Sequence, residues 1–201
     1  MTDRLILASG SKARKNMLSQ AGLDFEVIPA DLDETSLIHA HKNDTPRALA
    51  RILAAEKTKA VSSRHKDALV IGGDQIMVFD GEILEKAQDE ETALQRLRMF
   101  SGKTHELISA VAVARAGEIL WQADDNASLT MINLSEAEIH RYGGQAGDAL
   151  TKTVGGYELE GLGIALFDKI TGDYYTILGL PLLPLLKYLR QRQDSHFFLN
   201  Q

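Results

Sequence analysis

The amino-acid sequence predicts an α/β protein in which short strands alternate with helices. Apolar runs at residues 5–8 and 69–78 are typical of buried strands. Residues 12–21 and 46–62 instead carry their apolar side chains at helical spacing. The chain has 201 residues, of which 44% are hydrophobic and 25% are charged. That composition is ordinary for a globular protein, and the length suffices for one domain with a sizeable core and room for two lobes.

Composition and charge exclude several classes of protein. The net charge of −6 argues against a protein that wraps a nucleic-acid polymer, although it leaves room for a small phosphate site. The chain contains no cysteine, so it has neither disulfides nor a thiolate zinc site, which fits an intracellular protein. The N-terminal apolar run is too short for a signal peptide, and no stretch approaches the roughly 18–20 apolar residues of a membrane-spanning helix. We therefore expect a cytoplasmic protein that does not bind membranes.

The first strand, at residues 5–8, leads through a Ser/Gly turn into a helix at 12–21 that ends at Gly22. The turn and the start of the helix have the sequence Ser9-Gly-Ser-Lys-Ala-Arg-Lys15. Free N–H groups at a helix N-terminus and nearby cations suit an anion. The segment is not a Walker A loop, and taken alone it favours a capped amphipathic helix with a solvated basic face.

Two further segments place charged residues beside predicted elements. A strand at 25–28 leads into Asp31-Leu-Asp-Glu34, which is either a solvated acidic loop or part of a divalent-metal site and, taken alone, favours the loop. Thr45-Pro46 then opens a helix that continues to about residue 62, with the proline at its first position. Lys57 lies on this helix, where a lysine side chain is usually exposed to solvent.

The stretch Gly72-Gly73-Asp74 interrupts the most apolar strand with one carboxylate. The glycines allow another part of the chain to approach closely, or form a bulge. A buried ionised carboxylate is costly unless it is paired or bound to a cation. Asp74 is therefore expected either to face a ligand at the edge of the sheet or to cap a turn of its own backbone. Asp80-Gly81 predicts a hairpin, and its return strand at 82–86 would bring Lys86 back near Asp74.

The remaining chain predicts further helices, strands and one long loop. Ser101-Gly-Lys-Thr-His105 has a composition suited to phosphate, but it follows a helix, which is the wrong order for a P-loop. Residues 143–156 are polar, rich in glycine and without periodicity, which predicts a mobile loop or lid. The tail 190–201 is polar apart from 197–199 and would pack on a partner or fray. The other expected elements are a helix at 89–99, a hairpin of 105–113 and 118–121, a strand at 128–132, a helix from Ser135 to about Tyr142, strands at 164–167 and 174–178, and a helix at 182–189.

A series of short motifs follows along the chain: Leu-Ala-Ser9-Gly-Ser11-x-x-Arg14, Asp33-Glu34, Lys57, Gly-Gly-Asp74, Glu-Lys86, Phe-Ser101-Gly-Lys-Thr-His105, Glu-Gly161-Leu-Gly163 and Gly179-Leu-Pro-Leu182. In this order they closely resemble the Maf family of nucleoside triphosphate pyrophosphatases over about residues 5–189. The resemblance implies a single Maf-like domain over 1–201, with 190–201 as a C-terminal tail. It implies a mixed twisted sheet with flanking helices and two lobes around a central cleft, similar to inosine-triphosphate pyrophosphatases. It also implies hydrolysis of a nucleoside triphosphate to monophosphate and pyrophosphate with a divalent metal cation, Mg²⁺ or Mn²⁺.

The resemblance also assigns roles to individual residues. Opening the bond between the α- and β-phosphates needs charge neutralisation, a metal and an activated water. Asp74 matches the family's catalytic base and would act as general base or metal ligand, with Glu34 as a metal ligand. The nucleotide is the expected partner, and a homodimer is left open. The side chains expected to bind phosphate are the catalytic Lys57 and Lys86 together with Ser9, Ser11, Lys12 and Arg14.

The chain departs from the family pattern at several positions. Ala13 replaces one of two arginines, and Lys12 restores the charge but not the bidentate geometry. Glu160 replaces the glutamine of the branch that cleaves dTTP and UTP. A carboxylate at this position resembles the branch of the family that acts on 7-methyl-GTP. There it would accept hydrogen bonds from the N1–H and the amino group of guanine. We therefore expect a guanine-type or modified substrate. Further departures are Gln75 for threonine, Ala87 for proline, and Lys152-Thr-Val-Gly155 for Asp-Lys-Ala-Gly.

Two other functions stay open on the sequence. One is a catalytically weak Maf-like scaffold that binds nucleotide and acts in cell-division control, having lost turnover through Ala13 and Gln75. The other is a phosphohydrolase that releases orthophosphate. The joint presence of the four expected catalytic side chains argues against an inactive scaffold, because drift would have little reason to spare all of them.

Overall fold

The computed structural model describes residues 4–192, so the end of the predicted tail, 193–201, lies outside the described residues. The elements, in chain order, are β1 (Arg4–Leu7), α1 (Lys12–Gln20), β2 (Glu26–Val27), α2 (Glu34–Ala40), α3 (Pro46–Ser62), β3 (Ala68–Phe79), β4 (Glu82–Leu84), α4 (Glu90–Phe100), β5 (Thr104–Arg115), β6 (Glu118–Met131), α5 (Glu136–Ala146), α6 (Ala149–Lys152), a 3₁₀ helix (Leu162–Leu166), β7 (Phe167–Thr171), α7 (Tyr174–Ile177) and α8 (Leu182–Gln191).

The strands form a mixed sheet. Its order is β2-β1-β3-β5-β6-β7, with β4 paired to β3. β1 runs parallel to β2 and β3, whereas β4 is antiparallel to β3 and β7 is antiparallel to β6. In the β1–β3 pair, Leu5 lies opposite Leu69 and Leu7 lies opposite Ile71. This pairing fixes the backbone that leads into Gly72-Gly73-Asp74.

The described residues divide into two compact units, as the expectation of two lobes requires. The first comprises 4–75, 108–125 and 173–192, and the second comprises 76–107 and 126–172. The assignment of the whole chain to a single domain stays a prediction.

In the first unit, helices cover both faces of the sheet. Successive strand residues point to opposite faces, so β1 and β3 are apolar on both sides. Leu7 and Ile71 face the cluster that contains Met17 of α1 and Leu185 of α8. Ile6, Ala8 and Val70 lie in a second cluster with Val61 of α3. The predicted mixed α/β fold with flanking helices is therefore confirmed.

In the second unit, an aromatic cluster ties distant segments together. His105 stacks on Phe100 with ring centroids 4.8 Å apart, and Tyr157 meets Phe167 edge-on at 4.8 Å. Phe79 packs against Phe100 at 4.9 Å. A 2.6 Å hydrogen bond joins the Tyr157 hydroxyl to His105 Nε2 within the cluster. Tyr157 thereby fixes the segment between α6 and the 3₁₀ helix to β5.

Capping residues explain where several helices begin. Ser11 Oγ accepts from the N–H of Arg14 at the start of α1, and Thr45 caps α3 in the same way. Ser135 and Glu138 form a reciprocal capping box at the start of α5. Each of these oxygens satisfies an N–H group that the first helical turn leaves free, so the predicted starts of these helices are confirmed.

The loop predicted at 143–156 is wrong over much of its length, because α5 continues to Ala146 and α6 follows at Ala149–Lys152. Gly143 lies inside α5, where an added side chain would require Leu94 to move. A Cβ at this position would lie 2.7 Å from Cδ2 of Leu94 in α4. This glycine therefore permits two helices to approach closely and does not end the helix.

Two strand predictions are also wrong. The segment 174–178 contains α7, because Asp173 Oδ1 accepts from the N–H groups of Tyr175 and Thr176 and caps a helical turn. Most of 164–167 is the 3₁₀ helix, with β7 beginning only at Phe167. The strands predicted at 118–121 and 128–132 are confirmed, but they are two parts of one continuous strand, β6, which ends at Met131. Within residues 4–192, no helix is long and apolar enough to cross a membrane.

Candidate active site

Asp74 lies within β3 and is almost completely buried. The strand continues through it to Phe79, and β3 lies between β1 and β5 in the sheet. Asp74 is only 7% exposed. The expected turn is wrong, because the residues after Asp74 continue the strand and pair with β4. The pairing of β1 with β3 ends at Ile71, before Asp74, and the expectation that Asp74 faces a ligand stays a prediction.

The two glycines before Asp74 make room for neighbouring side chains and backbone. A Cβ at Gly72 would overlap Oγ1 of Thr58 on α3. A Cβ at Gly73 would lie 3.0 Å from the carbonyl oxygen of Ala110 and 3.4 Å from Arg14 Nε. The expected close approach is therefore confirmed, and it brings charged side chains of two helices to one strand.

Lys57 of α3 bridges two carboxylates. Its Nζ lies 2.6 Å from Asp74 Oδ1 and 2.7 Å from Glu34 Oε2. The Lys57 side chain is only 14% exposed, so the usual solvent exposure of a helical lysine is wrong here. Glu34 is the first residue of α2, which Asp33 caps by accepting the N–H of Ser36. The expected acidic loop is thus a helix start that holds Glu34 against Lys57.

Arg14 reaches the same region from α1. Its Nε donates to the carbonyl oxygen of Gly179 at 2.8 Å, and its Nη1 donates to Ser9 Oγ at 3.2 Å. The buried Ser9 hydroxyl also accepts from the N–H of Ser11 at 3.3 Å. The two serine hydroxyls and the guanidinium therefore gather at the N-terminus of α1, where Lys12 is the exposed first residue.

The charges in this part of the first unit balance one another. Burial raises the pKa of the Asp74 carboxyl, while the charges of Lys57 and Arg14 act in the opposite direction. Burial also lowers the pKa of Arg14, which the carboxylates of Asp74 and Glu34 oppose. Two cations and two anions leave no excess positive charge among these four residues. A bound triphosphate would therefore need further cations.

Asp74 and Glu34 are the carboxylates of this site that could hold a divalent cation. Both contact the Lys57 ammonium, so their oxygens are held around one centre. Mg²⁺ commonly uses one or two carboxylates and completes its shell with water and substrate phosphates. Across residues 4–192, no cluster of three or more His, Asp or Glu side chains is arranged to hold a metal by itself.

Lys86 and Glu160, two more of the expected site residues, belong to the second unit. Lys86 is exposed and follows the end of β4 by two residues. Glu160 is exposed as well, whereas its neighbours Tyr157 and Leu159 are buried. The roles of both charged residues stay predictions.

Sequence reasoning missed a polar network beside Asp74. Gln75 Nε2 donates to Ser109 Oγ at 3.0 Å and to the carbonyl oxygens of Thr176 and Ile177 at 3.1 and 2.9 Å. The sequence marked Gln75 only as a departure from the family pattern. A polar side chain next to a buried acid was the available signal, but its partners lie 34, 101 and 102 residues away along the chain, so no local pattern identifies them.

Comparisons with known proteins identify the family of this chain. The family described as "Maf-like protein" matches residues 4–192. A "Nucleoside triphosphate pyrophosphatase" of Bradyrhizobium diazoefficiens is 50% identical over 189 residues, which are 94% of each chain. A "7-methyl-GTP pyrophosphatase" of Brucella suis is 46% identical over 195 residues, 96% of this chain and 98% of the relative. Among solved structures, the Ham1 protein of Staphylococcus aureus is 15% identical with a TM-score of 0.41, covering 64% of this chain and 71% of that one, and the assignment does not rest on it. The chain belongs to the Maf family.

Proposed function

We propose that this protein hydrolyses a nucleoside triphosphate to the monophosphate and pyrophosphate. The observation that carries the proposal is the Lys57 ammonium, which holds the buried Asp74 and the more exposed Glu34 at 2.6 and 2.7 Å. Arg14 adds a guanidinium to this group from α1. The names of the relatives from Bradyrhizobium and Brucella support the same reaction class.

In the proposed reaction, Asp74 accepts a proton from the attacking water. The water oxygen bonds to the α-phosphorus while the bond from this phosphorus to the bridging oxygen breaks. Pyrophosphate leaves with the bridging oxygen and the bonding electrons. Burial makes Asp74 a stronger base than an exposed aspartate, and Lys57 and Arg14 favour its ionised form. This combination suits a general base that works near neutral pH.

Phosphate binding is assigned to hydroxyls and cations. Ser9 and Ser11 lie at a helix N-terminus, where N–H groups and the helix dipole favour an anion. Arg14 is held beside them through Ser9 Oγ. We propose that Arg14 and Lys57 bind the phosphate oxygens, and we retain Lys12 and Lys86 as further cations on the strength of the family pattern.

We propose a divalent cation, Mg²⁺ or Mn²⁺, held by Asp74 and Glu34 together with substrate phosphates. When bound, such an ion would neutralise phosphate charge and lower the pKa of nearby water. The balanced charges of Asp74, Glu34, Lys57 and Arg14 support this requirement, because they leave a triphosphate largely unneutralised.

We propose a guanine-type or 7-methylated base as the preferred substrate. Glu160 supplies acceptors only, and guanine presents two adjacent donors that one carboxylate can accept together. The relative from Brucella suis carries the name of a 7-methyl-GTP pyrophosphatase. A cytoplasmic location suits such a substrate, and a homodimer is a further proposal.

A nucleotide panel tests the reaction class. The wild-type protein is incubated with Mg²⁺ or Mn²⁺ and standard or 7-methylated triphosphates, and pyrophosphate and orthophosphate are measured separately. We expect equal amounts of monophosphate and pyrophosphate. Orthophosphate as the primary product would indicate a phosphatase, and nucleotide binding without turnover across the panel would indicate the scaffold.

A further inference from the structure

Gln75 satisfies the C-terminal carbonyls of a very short helix. The last carbonyl oxygens of any α-helix lack donors within the helix. α7 ends at Ile177, and Gln75 Nε2 lies 2.9 Å from the Ile177 oxygen and 3.1 Å from that of Thr176. Ser109 Oγ supports the same end by donating to the Thr176 oxygen at 2.8 Å. Gln75 therefore fixes the position at which the chain leaves α7.

Gly179, two residues beyond α7, lies between Gln75 and Arg14. Its φ of +99° is in the region that favours glycine. A Cβ there would lie 3.4 Å from Arg14 Nη2 and 3.8 Å from Gln75 Cδ. Its carbonyl oxygen accepts from Arg14 Nε at 2.8 Å. Any shift in the end of α7 would therefore move the acceptor that orients the guanidinium.

We propose that Gln75 is a positioning residue for Arg14. Its amide holds the turn 176–179, and the Gly179 carbonyl then sets the direction of the guanidinium. The inference rests on the proposed function, in which Arg14 binds substrate phosphate. The replacement of the family's threonine by Gln75 would then contribute to the reaction. From the sequence alone, the same replacement was a possible cause of lost turnover.

The chemistry of the side chain explains why glutamine suits this place. One amide NH₂ carries two donor hydrogens, whereas a threonine offers a single hydroxyl on a shorter side chain. The Thr176 and Ile177 oxygens both lie within reach of Gln75 Nε2. Orientation of Arg14 matters here because Ala13 leaves it as the single arginine between Ser9 and Lys15. A guanidinium acts through a directed pair of N–H groups, so an incorrect direction removes much of its benefit.

A double-variant cycle tests the proposal. Gln75→Met keeps the length of the side chain and removes the amide, while Arg14→Lys keeps the charge and removes the Nε donor. We expect Gln75→Met to lower kcat/KM by a factor on the order of 10–100, because small errors in the placement of a substrate-binding group cost this much. In the Arg14→Lys background, Gln75→Met should lower kcat/KM by less than about threefold, because the guanidinium that Gln75 positions is already absent. Equal factors in both backgrounds would overturn the proposal.

Substrate affinity separates a positioning role from a general loss of structure. Gln75→Met should raise the Kd for an α,β-methylene nucleoside triphosphate, measured by calorimetry, and Gln75→Asn should not recover it because its amide is one methylene shorter. Ser62→Ala is a matched control outside the motifs of the family, since it removes a buried hydroxyl that accepts from the Gly117 N–H at 3.0 Å. We expect this control to bind the analogue as the wild type does. Equal weakening by Ser62→Ala and Gln75→Met would overturn the proposal.

Hydrogen exchange reports on the turn without any need for turnover. The N–H groups of Leu178, Gly179 and Leu180 are bonded to carbonyls of α7. We expect their exchange to be faster in Gln75→Met than in the wild type. Unchanged exchange would contradict the proposed brace. If the wild type produces no pyrophosphate, the proposed function fails, while the exchange and affinity measurements still decide the role of Gln75. If Gln75→Met does not fold, Gln75→Thr, which retains one donor, takes its place in each measurement.

Discussion

Substitution of Lys57 by Met would test whether its ammonium supports the buried carboxylate. Methionine keeps an unbranched chain of similar length and removes only the charge and the donors. Asp74 is 7% exposed and would lose a partner at 2.6 Å. Glu34 would lose the same partner, but its side chain is 50% exposed and can be hydrated instead. The expected loss of stability therefore comes mainly from Asp74.

The magnitude follows from the distance and the burial. At 2.6 Å and an effective dielectric constant of about 20, the gross Coulomb attraction between Lys57 and Asp74 is about 6 kcal/mol. Desolvation offsets much of this attraction, and removal of one partner of a buried pair generally costs about 3–5 kcal/mol. Protonation of Asp74 and the remaining charge of Arg14 relieve part of the cost. We expect the free energy of unfolding at pH 7 to fall by about 3 kcal/mol.

Urea denaturation followed by circular dichroism measures this change, with two further variants for comparison. Lys57→Met/Asp74→Asn removes both charges and should recover most of the lost stability. Lys59→Met is a matched control on α3, because Lys59 pairs with Glu56 at 2.8 Å but is 42% exposed. Exposed pairs contribute little, so we expect a change below about 0.5 kcal/mol. Equal losses for Lys57→Met and Lys59→Met, or no recovery in the double variant, would refute the reasoning.

Three other outcomes are expected. Asp74→Asn should lower kcat by a factor on the order of 10²–10⁴ while circular dichroism shows a folded chain, because asparagine cannot accept the proton; retained activity would remove Asp74 from the chemistry. Glu160→Gln should raise the rate with dTTP and UTP relative to guanine-type triphosphates, because its amide can donate to pyrimidine carbonyls; equal losses on every substrate would contradict a role in base selection. Burial lowers the pKa of His105 from 6.5 to about 4, so the unfolded state binds more protons between these values and stability should fall as pH falls through that window, by up to about 3 kcal/mol. His105→Phe/Tyr157→Phe should flatten this pH dependence in denaturation experiments, and an unchanged slope would exclude His105 as its source.

Much of the first unit could be predicted because its signals are local. Pro46 after Thr45 marks the start of α3, and Ser11 marks the start of α1. Apolar runs identify β1 and β3. The Asp80-Gly81 pair identifies the hairpin, because these two residue types tolerate the positive φ angles that the turn has in the structure. Each of these features depends on residues that are adjacent in sequence. Pattern and turn chemistry therefore suffice to locate them.

The region after residue 143 was harder to predict because long-range packing overrides its local preferences. Gly143-Gly144 indicates a loop by composition, yet Gly143 lies against Leu94 of a neighbouring helix. The segment Tyr-Tyr-Thr-Ile-Leu at 174–178 has the side chains of a strand. Its helical turn depends on the Asp173 cap and on donors from Gln75 and Ser109, which local sequence does not reveal.

The candidate site shows the same division between residue identity and residue environment. The family pattern named Asp74, Lys57, Glu34 and Arg14, but their exposure and their partners are properties of the fold. Lys57 is largely shielded from solvent beside two acids, and Gly72 lets α3 lie directly on β3. A side chain at position 72 would force the strand and helix apart. The ion pair between Lys57 and Asp74 therefore needs glycine at position 72 as well as the lysine at position 57.

The charge balance at Asp74 links this geometry to the expected chemistry. A site with surplus cations would bind phosphate without further help, but Lys57 and Arg14 already face Asp74 and Glu34. A triphosphate could take over these cations only if the two carboxylates found another positive partner. A divalent cation held by Asp74 and Glu34 would supply that partner and would neutralise phosphate charge as well. In the proposed mechanism, metal and nucleotide should therefore bind cooperatively, with Lys57 as the group that keeps the carboxylates together until both arrive.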